Sequence, residues 1–218
     1  MVVSSQGHHI WNGARVLAQY MERNPSLFRD RTILELGAGA GLPGIVAAVE
    51  VGAKAVVLTD YPDEDLIDNL RHNAHETRNT NNTNGPIVEV RGYLWGDKNS
   101  EPLFEALPST EHDIGGFDIL LMADLNFNHH CHESLAESIS LTMRKSGDAK
   151  ALVFFTPYRP WLLDKDMAFF DICKAKGLGV RKLLEEKMEK VMFEKDPGCE
   201  DLRKTVYGFE VTWPESIA

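Results

Sequence analysis

The run from Ile33 to Gly44, Ile-Leu-Glu-Leu-Gly-Ala-Gly-Ala-Gly-Leu-Pro-Gly, restricts what this chain can fold into more than any other segment. It predicts a short buried strand that ends in an acid, turns on glycines and enters a helix. Glycine supplies backbone angles closed to other residues and lets a ligand come close to the bare main chain. The helix that follows presents unpaired N–H groups at its N-terminus. A second strand, Ala55 to Thr59, runs into Asp60. That acid falls about 20 residues after the glycines, where a nucleotide-binding βαβ unit places a carboxylate to take ribose hydroxyls.

Two ligands fit such a unit. Gly39-Ala40-Gly41-Leu42-Pro43-Gly44 matches the dinucleotide fingerprint G-x-G-x-x-G in form. Glu35 argues against a dinucleotide, because a carboxylate two residues before Gly37 repels a pyrophosphate. S-adenosylmethionine has no phosphate, and its ammonium and sulfonium suit an acid at the end of the first strand. The expected cofactor is therefore S-adenosylmethionine, with S-adenosylhomocysteine as product.

The remaining pattern alternates strand and helix, which predicts an α/β, Rossmann-like doubly wound sheet, mostly parallel with a late antiparallel strand. Helices are expected from Trp11 through Tyr20, Leu42 to Val51, Pro62 through Ala74, about His130 to Met143 and Pro160 to Lys176. Further strands are expected at Ile87 to Val90, Phe117 to Met122, Ala151 to Phe155 and Thr205 to Trp213. Asn79 to Gly85 reads as a polar loop, and the mixed-sign stretch Lys182 to Lys195 as a solvated hairpin or helix face.

Ligands of such sheets bind at the carboxyl ends of the strands. Those ends gather Glu35 with the glycines, Asp60 and Tyr61, then Trp95 and Asp97. Ala123, Asp124 and Phe127 follow the fourth strand, and Thr156 to Arg159 the fifth. Trp95 beside Asp97 offers a flat apolar face and a polar edge for an adenine. A helix packed by the glycine turn would set Trp11 over the methionine end of the cofactor.

The chain has 218 residues, 43% of them hydrophobic, which suits one enzyme-sized domain over residues 1–218. Its net charge of −10 works against a broad nucleic-acid footprint and favours a basic or neutral substrate. Cys131, Cys173 and Cys199 are few and odd in number, without C-x-x-C, and no apolar run reaches membrane-span length. The expectation is a cytoplasmic protein with no membrane partner. His129, His130, His132 and Cys131 have metal-ligand chemistry, but adjacent helical positions cannot converge on one ion, so no metal is expected.

Trp11-x-Gly13-Ala14, Glu35-Leu-Gly-Ala-Gly-x-Gly-Leu-Pro-Gly44, Thr59-Asp-Tyr-Pro62, Leu94-Trp-Gly96 and Ala123-Asp-Leu-x-Phe-Asn-His129 together resemble the seven-β-strand methyltransferases that modify lysines on non-histone proteins. Within that family the chain resembles the fungal elongation factor methyltransferase 7 type, also labelled nicotinamide N-methyltransferase-like. The resemblance runs from about Gln6 to the C-terminus. It implies a seven-stranded sheet and a cofactor site at Trp11, Gly37, Ala38, Gly39, Asp60, Trp95 and Ala123. It implies, as protein substrate, elongation factor 1-alpha, methylated on its N-terminal glycine and the adjacent lysine. Members of this type carry a few dozen residues before Trp-x-Gly-Ala where this chain has ten, so a native N-terminal extension is expected to be missing. Lysine-specific relatives carry acid-x-x-tyrosine after the fourth strand; here Phe127 takes the tyrosine place.

An amine acceptor is largely protonated at neutral pH and must lose a proton before it attacks a methyl group. Asp124 is the residue expected to hydrogen-bond that amine and relay the proton, with Phe127, Tyr158 and Trp161 as an apolar or cation–π wall. The alternatives are a small-molecule N-methyltransferase acting on nicotinamide and a non-catalytic cofactor-binding regulator. A nucleic-acid amino-methyltransferase would show Asn-Pro-Pro-Tyr or Asp-Pro-Pro-Tyr after the fourth strand, and Ala123 to Phe127 has no proline.

Overall fold

A computed structural model describes residues 9–80, 87–108 and 115–214, without the side chains of 77–80. Seven strands form one sheet: β1 (Thr32–Leu36), β2 (Ala55–Asp60), β3 (Ile87–Gly92), β4 (Ile119–Ala123), β5 (Lys150–Phe155), β6 (Gly179–Lys187) and β7 (Thr205–Thr212). Their order is β3-β2-β1-β4-β5-β7-β6. The first five run parallel, and β7 lies antiparallel between β5 and β6. Strand order reverses between β1 and β4, which opens a crevice at their carboxyl ends.

Alternation along the strands splits the core in two. Ile33, Val56, Leu121 and Phe154 point to one face, where α1 (Asn12–Arg23), α2 (Leu42–Val49) and α3 (Glu64–Thr80) pack. Leu34, Leu120, Val153 and Phe155 point to the other, under α5 (His132–Thr142) and α6 (Leu163–Ala175). β1 is buried along its whole length, as a central parallel strand must be. Two one-turn helices, α4 (Glu101–Phe104) and α7 (Glu200–Arg203), and three 3-10 turns, the first at Pro25–Leu27, complete the described elements.

Most expected elements appear within a few residues, with four differences. The helix after Pro62 begins at Glu64, capped by Asp63, whose Oδ1 accepts the Leu66 N–H at 3.3 Å. It continues through Thr80, past the expected loop boundary at Asn79, and 81–85 of that loop lie outside the described residues. His129–Cys131 and Pro160–Leu162 are 3-10 turns leading into α5 and α6. The stretch read as a solvated hairpin or helix face is strand β6 as far as Lys187, and then a connection that folds back over the ends of β4 and β5.

Candidate functional site

The turn after β1 depends on Gly37, Gly39 and Gly41, at φ 61°, 55° and 80°. At Gly37 a side chain would also collide: its Cβ would stand 2.6 Å from Leu125 Cδ2 and 3.0 Å from Trp95 Cζ2. The bare turn thus lets Trp95 and Leu125 lie directly on the main chain. Trp95 is held from behind by the Gly96 N–H to Ser138 Oγ bond of 2.8 Å and the Tyr93 hydroxyl to Asp97 carbonyl bond of 3.1 Å.

Asp60, at the end of β2, ties the turn down. Its Oδ2 accepts the Gly39 N–H at 2.7 Å and its Oδ1 the Tyr61 N–H at 2.7 Å. Burial pushes its carboxyl up from the usual range, against those two bonds. Ala38 donates to the Thr59 carbonyl at 2.9 Å. The Tyr61 ring is half exposed beside them.

Glu35 does not stand in the crevice. It is 1% exposed, and its Oε2 accepts the Gly44 N–H at 2.8 Å, in the first turn of α2. Burial raises its pKa to about 8, with Asp60 adding to the rise. The acid expected to face the ligand therefore caps α2 and braces the turn from beneath.

Ala123 ends β4, and Asp124 follows at φ 54°, a left-handed conformation that aspartate tolerates better than most residues. Its carboxyl is buried and gathers backbone N–H groups from two distant segments. Oδ2 accepts Gly13 at 2.6 Å and Oδ1 accepts Thr156 at 2.8 Å, with Ala14 as a third donor. Burial outweighs these bonds and lifts its pKa to about 7. Asp124 is thus a helix cap, but for α1 from the opposite end of the chain. Gly13 permits that approach, since a Cβ there would sit 2.5 Å from Asp124 Oδ2.

A cavity of ≈ 560 Å³ opens at the ends of β4 and β5, with Asp124, Phe127 and Thr156 in its wall. Trp11, Tyr158 and Phe193 face one another edge-on in the same wall, with ring centroids 4.9 to 6.2 Å apart. The Tyr158 hydroxyl accepts the Asn12 N–H at 3.0 Å and reaches Met192 Sδ at 3.5 Å. Arg159 donates to the Phe127 carbonyl at 2.9 Å. Phe127 is 51% exposed. Trp161 is more exposed still and stands against Gly198 rather than in the cavity wall. His129 pairs with Asp166 at 2.6 Å and His132 with the Asn126 carbonyl at 2.8 Å, so these histidines brace the loop after β4. Among the described residues no three metal-ligating side chains stand together.

The structure thus places Trp11, Asp124, Phe127 and Tyr158 in the cavity wall, groups Gly37, Ala38, Gly39, Asp60, Tyr61 and Trp95 about the turn after β1, with Leu125 against Gly37, and leaves Glu35 and Trp161 outside both. Phe193 and Asp196, on the β6–β7 connection, were missed. No local motif marks them; only a paired β6 would have directed the connection back to the site.

A family model described as lysine methyltransferase matches residues 1–175. The chain belongs to this lysine methyltransferase family. A protein N-terminal and lysine N-methyltransferase of Neurospora crassa is 45% identical over 219 residues, covering 96% of this chain and 74% of the relative. Its Schizosaccharomyces pombe counterpart is 44% identical, covering 95% and 78%. Magnesium protoporphyrin IX methyltransferase of Synechocystis, solved with S-adenosylhomocysteine, superposes at TM-score 0.59 with 12% identity, over 92% of this chain and 81% of that one. A putative RNA methyltransferase of Pyrococcus horikoshii gives 0.56 at 17%, over 93% and 83%. These two share the fold.

As a member of the family, the chain is a methyltransferase that uses S-adenosylmethionine. The crevice fits a cationic donor. Glu35, Asp60 and Asp124 stand at the ends of β1, β2 and β4, and each takes its hydrogen bonds from backbone N–H groups. Of the three, Asp60 stands at the surface of the turn and Asp124 in the cavity wall, where a carboxylate would disfavour a pyrophosphate and favour a sulfonium, while Glu35 lies beneath the turn. No described helix is long and apolar enough to cross a membrane.

Proposed function

We propose that this lysine methyltransferase family member methylates elongation factor 1-alpha on the α-amine of its N-terminal glycine and on the adjacent lysine. The observation that carries the reading is Asp124, a carboxyl with a pKa of about 7 in the wall of an aromatic cavity, next to the strand ends suited to the donor. The printed names of its relatives, protein N-terminal and lysine N-methyltransferases, support the substrate class.

Asp60 would take the ribose hydroxyls and Trp95 the adenine, with Tyr61 alongside. The Gly37–Ala38–Gly39 main chain and Ala123 would line the body of the donor, and Trp11 its methionine end. Glu35 serves from below by holding the turn. When bound, S-adenosylmethionine supplies an electrophilic methyl group. The protein's own task is to present a neutral amine to it in line.

In water an α-ammonium titrates near about 8 and a lysine near about 10.4. Trp11, Tyr158 and Phe127 line the space for the amine, and an apolar lining disfavours its charged form. A carboxylate offers about four acceptor positions, so three N–H bonds leave Asp124 one for the amine. Asp124 accepts the proton there, and the lone pair is freed for attack.

Mass spectrometry of elongation factor 1-alpha after incubation with enzyme and donor tests the reading. Methyl groups are expected on the N-terminal peptide, with none on free nicotinamide offered in parallel. Transfer to nicotinamide and to no protein would overturn it.

A further inference from the structure

The β6–β7 connection reaches the cavity at two places, Phe193 and Asp196. Phe193 is anchored. Its ring lies 5.7 Å from Trp11 and 6.2 Å from Tyr158, edge-on to both, and 6.4 Å from His9. The adjacent Met192 sulfur meets the Tyr158 hydroxyl, and Arg203 Nη1 donates to the Phe193 carbonyl at 2.7 Å. Asp196 follows in a turn, its N–H directed to the Phe193 carbonyl at 3.4 Å. Asp196 is therefore carried at a set position on the cavity rim.

The position of the carboxylate matters more than its exposure. Like Glu189 and Glu194 on the same connection, Asp196 is exposed and has no ion-pair or hydrogen-bond partner among the described residues, but it lines the cavity and they do not. The other acid of the cavity, Asp124, is deep, buried and occupied by N–H groups. The one guanidinium of the wall, Arg159, is turned to the Phe127 carbonyl. The cavity thus has at its floor an acid with one acceptor position left, aromatic walls and an unpaired anion at its rim. A peptide that enters amine first would place its leading amine at the floor and its next side chain at the rim.

We infer that Asp196, held by the Phe193–Trp11–Tyr158 cluster, reads the second residue of the acceptor and selects a cationic side chain there. The inference rests on the amine-methylating reading above. A rim-exposed charge pair is worth up to about 1 kcal/mol, about a fivefold preference.

Short peptides beginning Gly-Lys, Gly-Gln and Gly-Glu, otherwise identical, separate the two readings. Their dissociation constants are measured by calorimetry on the S-adenosylhomocysteine-loaded protein, and their methylation by mass spectrometry. The wild type should bind Gly-Lys about fivefold tighter than Gly-Gln, and Gly-Glu weakest. Asp196→Asn should bring the Gly-Lys to Gly-Gln ratio close to one, and Asp196→Lys should place Gly-Glu ahead of Gly-Lys. Melting temperature and S-adenosylhomocysteine affinity should match wild type in both variants, because Asp196 packs against nothing it would release. If the wild type methylates these peptides and the variants keep its order of preference, Asp196 does not read the second residue and the function stands. If the wild type methylates intact elongation factor 1-alpha but binds none of the peptides, the rim does not read the second residue and the function stands; if it methylates neither, the function fails and this inference with it.

Discussion

Two buried carboxyls dominate the site at the scale of single residues, and both are raised in pKa by burial. Glu35 sits at about 8 in the fold, against 4.5 for a free glutamate. Between those values the folded form holds a proton that the unfolded form has lost, so stability falls as pH rises. The fall is about 1.4 kcal/mol per pH unit while the difference persists, and it ends once pH passes the folded value. Glu35→Gln removes it. Urea denaturation from pH 5 to 9 should show the variant gaining on the wild type up to about pH 8 and running parallel above; parallel curves throughout would mean that Glu35 is ionised in the fold. Asp124 makes a different prediction, because its bonds hold α1. Asp124→Ala leaves three N–H groups without an acceptor and puts alanine at φ 54°, for a loss of about 3 kcal/mol. Asparagine tolerates that angle and keeps one acceptor oxygen, so Asp124→Asn should lose roughly half as much. Equal stability of all three proteins would show that the cap carries no weight.

At the scale of elements, α1 is the piece whose attachment decides the shape of the cavity. Its first N–H groups are received by Tyr158 and Asp124, from the ends of β5 and β4. Tyr158→Phe withdraws one acceptor while keeping the ring against Trp11. Hydrogen exchange at Asn12 to Arg15 should quicken about tenfold, the scale of one lost hydrogen bond, while β1 and β4 stay protected. The elements that the sequence made legible are those with two buried faces or a motif. β1, β2, β4 and β5 read as apolar runs because helices cover both sides, and the glycines after β1 mark their turn. β6 was not legible as a strand. It is an edge strand paired only with β7, its exposure follows no clean alternation, and lysine, arginine and glutamate fill its open side, as edge protection requires. The site follows the same division. Asp60, Trp95 and Asp124 announce themselves at strand ends, but neither the Asp124 bond to Gly13, 111 residues earlier, nor the Glu35 bond beneath the turn has a local signal. Phe193 and Asp196 depend on the strand that was missed.

At the scale of the molecule, the net charge of −10 acts on any basic partner before contact. Turnover on a basic protein acceptor should fall by roughly tenfold between low salt and half-molar salt, through KM, while a small neutral acceptor or a peptide without net charge should respond little. A flat response of the protein acceptor would confine recognition to the cavity itself. The late position of β7 in the chain has its own consequence. Translation delivers β6 before β7, yet β6 pairs with no other strand, and β7 must insert beside β5 to hold it. The glycine turn, Asp60 and Trp95 lie on or just after strands paired without β6 or β7, whereas Phe193 and Asp196 lie on the connection that β7 closes. On the proposals above, every residue assigned to the donor is made before β6, and the two on the β6–β7 connection can take their place only after β7, ending at Thr212, has been made to hold β6.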